Sequence, residues 1–424
     1  MLKLSDLNLT LETTELKNGL KIINFRRSGS PLAIRSLFFA GSRFDDIEGT
    51  SHFLEHLLVA GTKNYPTKNK LATYIENNGG ILEAITSMDT LSVNLSLGNP
   101  QDIPIAAKVL KEVIFNPTFN IKIIENERGA IFRELSDQKS NPIKAIGEVS
   151  RRLIFQNTIL GRSTLGTEDS IKNIKKKDVL SYYQNNILSG QMVLVTSGDI
   201  PINILKKEFA FLESIKTVPK IPKGNLEINQ QKRVLIEKFN QNDQITFSYA
   251  FRVGNIFSPS IPALTILLQA LAATRSSKLI TKLRYKNGLI YGINAWYNQL
   301  FDGGIWGFQT TTSKANFQRV IDIIESEFAS LIKSGLSTLE LEFIKNKIIK
   351  SGRLRLQTSE SIVNFHAYRQ FVDNSSTWTI DNYTESLKQV DCDLIMATAI
   401  KYLNPSKSYL AICGDINEKE INLT

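Results

Sequence analysis

Two strand-like segments far apart in the chain end in the same way. Gln191-Met192-Val193-Leu194-Val195-Thr196-Ser197 runs into Gly198-Asp199-Ile200, and Ser408-Tyr409-Leu410-Ala411-Ile412-Cys413 runs into Gly414-Asp415-Ile416. Each follows a helical segment that carries a tyrosine and then a polar turn. An internal repeat of about 200 residues accounts for both. It divides the 424 residues into two halves, each long enough for its own core.

The starts of the halves correspond as well. Leu20 to Asn24 and Leu32 to Ala40 read as strands around the turn Arg26-Arg27-Ser28-Gly29-Ser30, and Val234 to Phe239 and Ile245 to Phe251 flank Asn240 to Asp243. Long helical patterns follow, at Pro104 to Phe115 and at Phe317 to Ser334. Strands mixed with helices in each half give an α+β class. Ser214 to Gln231, polar and holding Pro219, Pro222 and Gly224, reads as a linker. The expected domains are therefore 1–213, a linker at 214–231, and 232–424.

Composition excludes several classes of function. The net charge is +10, but the lysines are scattered. The one short run, Lys175-Lys176-Lys177, lies beside Asp178 in a helical pattern and reads as solvated surface, so no nucleic-acid partner is expected. No run of about 18 apolar residues is present, so no membrane span is expected. The first residues, Met1 to Leu7, lack the pattern of a secretory signal, and the expected compartment is the cytoplasm. Two cysteines, Cys392 and Cys413, suggest neither a disulfide framework nor a thiolate metal site.

The chemistry concentrates at Gly49-Thr50-Ser51-His52-Phe53-Leu54-Glu55-His56-Leu57-Leu58. Thr50 or Ser51 is placed to cap a helix. A helix puts His52 and His56 on one face, one turn apart, at a spacing suited to two imidazoles on one metal. Glu55 shares that side and can reach a water without ligating. Phe53, Leu54, Leu57 and Leu58 would bury the helix and make it a rigid platform. The chain has three histidines, and two of them fall inside this one pattern. The third, His366, has no matching partner and reads as structural.

Two imidazoles do not complete a catalytic zinc site, which takes three protein ligands and an open position. With no third histidine nearby, a carboxylate is required. Candidates lie in Ile123 to Leu135, where Glu127 and Glu134 are seven apart and share a helix face. Gly129 between them costs roughly 1 kcal/mol against Ala in a helix and suggests close helix approach.

With these residues in place, the sequence resembles the pitrilysin/insulinase metallopeptidases, the inverzincins of H-x-x-E-H pattern. It is most similar to the short members, the mitochondrial processing peptidase subunits and their bacterial relatives. The resemblance runs through Asn18-Gly19-Leu20, Ala40-Gly41-Ser42-Arg43, Gly49 to His56, Gly61-Thr62, Gly79-Gly80, Ala84 to Asp89 and Leu165-Gly166-Thr167. It implies two homologous domains, each a mostly antiparallel sheet packed with helices, forming half of a clamshell. By the same resemblance Glu134 is the third zinc ligand and Glu127 assists, with one Zn2+ per chain, because Ser258 to Leu267 holds no such motif where the second half has its matching helix. Leu82-Glu83-Ala84-Ile85-Thr86 matches the edge strand along which the family pairs its peptide. Arg284 and Tyr291, seven apart, match a pair that completes the site from a partner and steadies the substrate carbonyl.

Departures fall at Glu83, where the family has Asn, at Ile85, where it has an aromatic, and at Val93, where it has Tyr. Glu83 adds negative charge beside the expected peptide path, which either favours a basic substrate residue or weakens binding. The expected function is a zinc metalloendopeptidase cutting oligopeptides or unfolded and leader segments inside a closed chamber, with Glu55 as general base. A homodimer or a heterodimer with a related chain follows from the same resemblance. The competing reading is a non-catalytic or heterodimer partner subunit of a processing peptidase.

Overall fold

A computed structural model of the chain describes residues 2–4, 7–218, 232–239, 243–373 and 378–423. Most of the expected linker, 219–231, lies outside the described residues. The strands are β1 (Leu2–Leu4), β2 (Leu9–Glu15), β3 (Lys21–Arg26), β4 (Leu32–Phe38), β5 (Gly80–Thr86), β6 (Leu91–Leu97), β7 (Met192–Gly198), β8 (Val234–Glu237), β9 (Gln244–Val253), β10 (Ile293–Gln299), β11 (Gly304–Ser313) and β12 (Tyr409–Cys413). They form a seven-stranded sheet, β1-β2-β3-β7-β4-β6-β5, and a five-stranded sheet, β10-β11-β9-β12-β8.

The two sheets repeat one plan. The order β3-β7-β4-β6-β5 reads as β8-β12-β9-β11-β10 in the second half. In both, the strand that ends at Gly-Asp-Ile lies parallel to the first strand and antiparallel to the second. The remaining pairings are antiparallel. The mostly antiparallel α+β architecture is as the sequence leads one to expect. The pair β1 and β2 is an addition to the first sheet that the repeat did not announce.

Each sheet buries one face under helices of its own half. Alternation along β4 sends Ile34 and Phe38 into a core shared with Phe53 and Leu57 of the motif helix and with Val109 and Leu110 of helix Ile103–Phe115. In the second half, Phe247, Tyr249 and Phe251 of β9 pack with Leu264 and Leu267 of helix Ile261–Leu271 and with Ile324 and Phe328 of helix Phe317–Ser334.

The compact units are not contiguous halves of the chain. One comprises Met1–Leu135, Arg162–Lys223 and Ser351–Asn382, and the other Ser136–Gly161, Gly224–Lys350 and Tyr383–Thr424. The expected boundaries at 213 and 232 therefore need correction, because each half gives a helix to the other's sheet. Helix Pro142–Phe155 packs on β8, β9 and β12, and Ser150 Oγ lies 3.1 Å from Ser248 Oγ. Helix Ser359–Val372 packs on β4 and β7, and Ser359 Oγ donates to the Pro31 carbonyl. A sheet with one open apolar face must cover it, and in each unit the cover comes from the other half of the sequence.

Candidate metal centre

The motif helix spans Thr50–Ala60. Neither Thr50 nor Ser51 caps it in the expected way. Gly49 occupies the cap position at φ 89° with no side-chain cap of its own, and Asp45 does the work from outside the helix. Its carboxylate accepts from Gly49 N–H at 2.9 Å, Ser51 N–H at 2.9 Å and the Ser51 hydroxyl at 3.1 Å. Burial pushes the Asp45 carboxyl up to about 7, against the pull of these donors. Glycine is required at 49: besides its φ, a Cβ there would stand 2.8 Å from the Gly166 Cα. That contact ties Leu165 and Gly166 to the start of the motif helix.

His52 and His56 present their rings edge to face, with centroids 4.7 Å apart. Both Nε2 atoms face one carboxylate oxygen, Glu134 Oε2, at 3.6 Å from His52 and 3.7 Å from His56. These distances exceed a hydrogen bond, which closes at about 3.2 Å. They approach the separation of about 3.3–3.6 Å between two ligands on a tetrahedral ion with bonds of about 2.0–2.2 Å. The three ligand atoms lie within 4.8 Å of one another. On the outer side of His56, Nδ1 lies 3.0 Å from Glu127 Oε2, which directs Nε2 inward. His52 has no such support: its Nδ1 is buried without a hydrogen-bond partner among the described residues.

Charge points the same way. Burial and the neighbouring His56 push His52 down to about 4. At His56 burial also opposes the charge, but the Glu127 hydrogen bond and the Glu134 carboxylate outweigh it and raise the ring to about 9. His52 is thus held neutral while the Glu127 and Glu134 carboxylates draw positive charge to His56, and the donor set fits a single cation. Glu55 lies on the same helix but outside the three-atom cluster. Burial raises its carboxyl, with Thr86 and His56 pulling the other way.

Glu127 and Glu134 come from helix Ile121–Ser140, whose buried side is Ile124, Ile131 and Leu135. Gly129 does not serve close approach as expected. A Cβ there would meet only the Arg133 Nη1, at 3.7 Å. Arg128 fixes the helix instead. Its guanidinium donates to the carbonyls of Ile171 and Ile174, pairs with Glu125 at 3.0 Å and lies 5.1 Å from the Phe53 ring centroid. Sequence reasoning missed Arg128 and Asp45. The signal for Arg128 was a cation set between two chemically important carboxylates of one helix.

The remaining residues fall in two places. Leu82, Glu83, Ala84, Ile85 and Thr86 form β5, which pairs with β6 and ends the sheet, leaving its other edge open among the described strands. Leu82 packs on the core, while Ile81, Glu83 and Ile85 point to the opposite face and are exposed. Arg284 and Tyr291 belong to the second unit. They meet each other, with the guanidinium 4.9 Å from the Tyr291 ring centroid, and Tyr291 is 87% exposed. His366 is fully buried, stacked on Phe25 at 4.1 Å, with Nδ1 2.8 Å from the Ile362 carbonyl oxygen. Its setting is structural.

Residues 32–168 match the family model for insulinase (peptidase family M16), and residues 173–348 match the model for the peptidase M16 inactive domain. The chain is 24% identical over 418 residues to the mitochondrial-processing peptidase subunit beta of Mus musculus, covering 96% of this chain and 84% of that protein. It is 22% identical over 386 residues to the uncharacterized zinc protease YmxG of Bacillus subtilis, covering 90% and 93%. Among solved structures, a peptidase M16 inactive domain from Pseudomonas fluorescens superposes with a TM-score of 0.88 at 18% identity, covering 96% of this chain and 98% of that one. A protease from Helicobacter pylori superposes with a TM-score of 0.84 at 18% identity, covering 96% and 99%. The insulinase match covers the His52, His56 and Glu134 cluster, and the inactive-domain match begins after it, near the end of the first half, and runs on through much of the half that lacks the motif: the chain belongs to the insulinase family of peptidases, M16.

Proposed function

We propose that this chain is a zinc metalloendopeptidase with one Zn2+ per chain, held by His52, His56 and Glu134. The observation that carries this reading is the convergence of two imidazole Nε2 atoms on one Glu134 oxygen at 3.6 and 3.7 Å. Zinc in such a site supplies a Lewis acid that acidifies water and polarises a carbonyl.

The chain's own residues do the rest. Glu127 holds the His56 ring through Nδ1. Glu55 removes the proton of the attacking water and delivers it to the leaving amine. Its raised proton affinity, caused first by burial, suits a base that must also return the proton. The open edge of β5 pairs with the backbone of an extended substrate from Leu82 to Thr86, which gives affinity without strict sequence demand. Arg284 and Tyr291, supplied by a second chain, steady the substrate carbonyl as charge develops on it. The relatives named as processing-peptidase subunits favour a dimeric assembly, with peptides or unfolded leader segments as substrates.

The test joins metal analysis to cleavage of a peptide library by the wild type and Glu55→Gln. The expected result is one zinc per chain in both proteins and cleavage by the wild type alone. Equal cleavage by both would remove Glu55 as the base. Metal content without cleavage in either would leave the non-catalytic partner subunit as the better reading.

A further inference from the structure

Helix Ile121–Ser140 carries both Glu127 and Glu134, yet its apolar stripe is thin. The buried residues are Ile124, Ile131 and Leu135. At a helical period the stripe has a gap four residues after Ile124 and three before Ile131. Arg128 fills it, with its side chain 13% exposed. A guanidinium at a core position is costly unless its donors are satisfied, and here they are. Nη1 donates to the Ile171 carbonyl, Nη2 to the Ile174 carbonyl at 2.9 Å, and Nε and Nη2 to Glu125 at 3.0 and 3.1 Å.

The two carbonyls close helix Glu168–Asn173, Ile171 in its last turn and Ile174 at its C-cap. A helix end leaves such oxygens without donors of its own, and Arg128 supplies them. The same short helix touches the start of the motif helix. A Cβ on Gly49 would stand 2.8 Å from Ile171 Cδ1 as well as from the Gly166 Cα. Just upstream, Ser163 N–H donates to the Glu48 carboxylate, and Arg162 donates to the Asp45 carbonyl at 3.2 Å. One segment, 162–174, is therefore tied to the entry of the motif helix and, at Arg128, to the helix of Glu134. Arg128 also reaches the motif helix directly, with its guanidinium 5.1 Å from the ring centroid of Phe53, the neighbour of His52.

Direction is what these hydrogen bonds add. The packing of Ile124, Ile131 and Leu135 is non-directional and leaves the helix free to slip along and about its axis. A slip of one residue is about 1.5 Å of rise and about 100° of rotation. Either would take Glu134 away from the two Nε2 atoms it faces at 3.6 and 3.7 Å, whereas a ligand set has to be held to within about 0.5 Å. The planar fork of Arg128 on two carbonyls sets both height and rotation. We propose that Arg128 is a positioning residue of the metal centre, which locks its helix to segment 162–174 and so places Glu134 Oε2 between His52 and His56. This rests on the reading of those three residues as the zinc ligands. Arg128 itself acts through Glu134 alone.

The experiment is a double-mutant cycle on the full-length protein, read as zinc affinity in competition with chelators of graded strength. Its four members are the unaltered chain, Arg128→Met, Glu134→Ala and the double variant. Arg128→Met keeps an aliphatic stem in the core and removes the fork. With Glu134 present it is expected to weaken zinc binding by roughly 10- to 100-fold. In the Glu134→Ala background, where the two imidazoles share one helix and need no help from Arg128, the same change is expected to cost less than about twofold. Arg128→Lys, taken through the same cycle, guards against a methionine variant that has merely lost its fold. It keeps the charge, serves one carbonyl in place of two, and is expected to weaken zinc about three- to tenfold. Unchanged affinity in the Arg128 variants overturns the role. So does an equal loss with and without Glu134, which is what mere loosening of the fold would give. Either result leaves the metal reading standing when the unaltered chain binds one zinc. An unaltered chain that binds no zinc defeats both.

Discussion

Glu127 Oε2 stands 3.0 Å from Nδ1 of His56, on the side of the ring opposite Glu134. With a metal at Nε2 the ring proton sits on Nδ1, and the Glu127 carboxylate accepts a hydrogen bond from it. Removing the carboxylate frees the ring to rotate and lowers its basicity. Glu127→Ala is expected to weaken zinc binding by about 10- to 100-fold, measured by competition with a chromophoric chelator. Glu127→Gln, which keeps an accepting oxygen, should fall between the two. Wild-type affinity in the alanine variant would show that the contact does not orient the ligand.

An ion held only by the folded cluster must stabilise the fold it binds. At a free zinc concentration of about 100 times Kd the gain is about 2.7 kcal/mol. Adding a strong chelator should lower the melting temperature of the wild type. The same chelator should leave Glu134→Ala unchanged, since that chain lacks the carboxylate facing both imidazoles. Equal shifts in the two proteins would place the stabilising metal elsewhere.

How much of this was legible in the sequence follows from how local each feature is. His52, Glu55 and His56 share one helix, and the spacing of three and four residues alone sets their common face. Glu134 lies on a different helix, so local pattern offered Glu127 and Glu134 without deciding between them; the family resemblance chose, and the structure puts Glu134 beside both rings and Glu127 behind one. Asp45 escaped because its carboxylate reaches the helix start from outside the cap position, where local rules look for Thr50 or Ser51. The exchange of helices Pro142–Phe155 and Ser359–Val372 escaped for a similar reason. An amphipathic pattern states that a helix covers an apolar surface, but not which sheet supplies it. The repeat of strand order was legible because both copies end at the same Gly-Asp-Ile.

Arg284 and Tyr291 meet each other in the second unit, and Tyr291 is largely exposed. If they complete the site of another chain, each of two damaged chains can repair the other. Glu55→Gln and Arg284→Ala should each lose most cleavage alone. A mixture of the two, allowed to exchange subunits, contains dimers with one intact site, and at equal amounts it should recover up to roughly a quarter of wild-type activity if assembly is random. No recovery, with subunit exchange shown by labelled chains, would place the pair in service of its own chain.

His366 supplies a pH prediction whose sign is set by burial. The ring stacks on Phe25 and meets the Trp378 and Phe365 rings edge to face, and burial holds its pKa down to about 4 against an ordinary 6.5. Above about pH 6.5 the ring is neutral whether the chain is folded or not, and it adds no pH dependence. Below that, the unfolded chain takes up a proton that the folded chain refuses. Stability therefore falls as the pH drops towards about 4, by up to about 1.4 kcal/mol per pH unit. His366→Phe keeps an aromatic ring of similar size and cannot titrate. Urea midpoints of the two proteins at pH 7.5, 6 and 5 should draw together or cross in favour of the variant as the pH falls. The metal cluster and the carboxylates titrate alike in both proteins and cancel in the difference. Parallel curves across the window would mean that His366 takes its proton in the folded chain as readily as in the unfolded one.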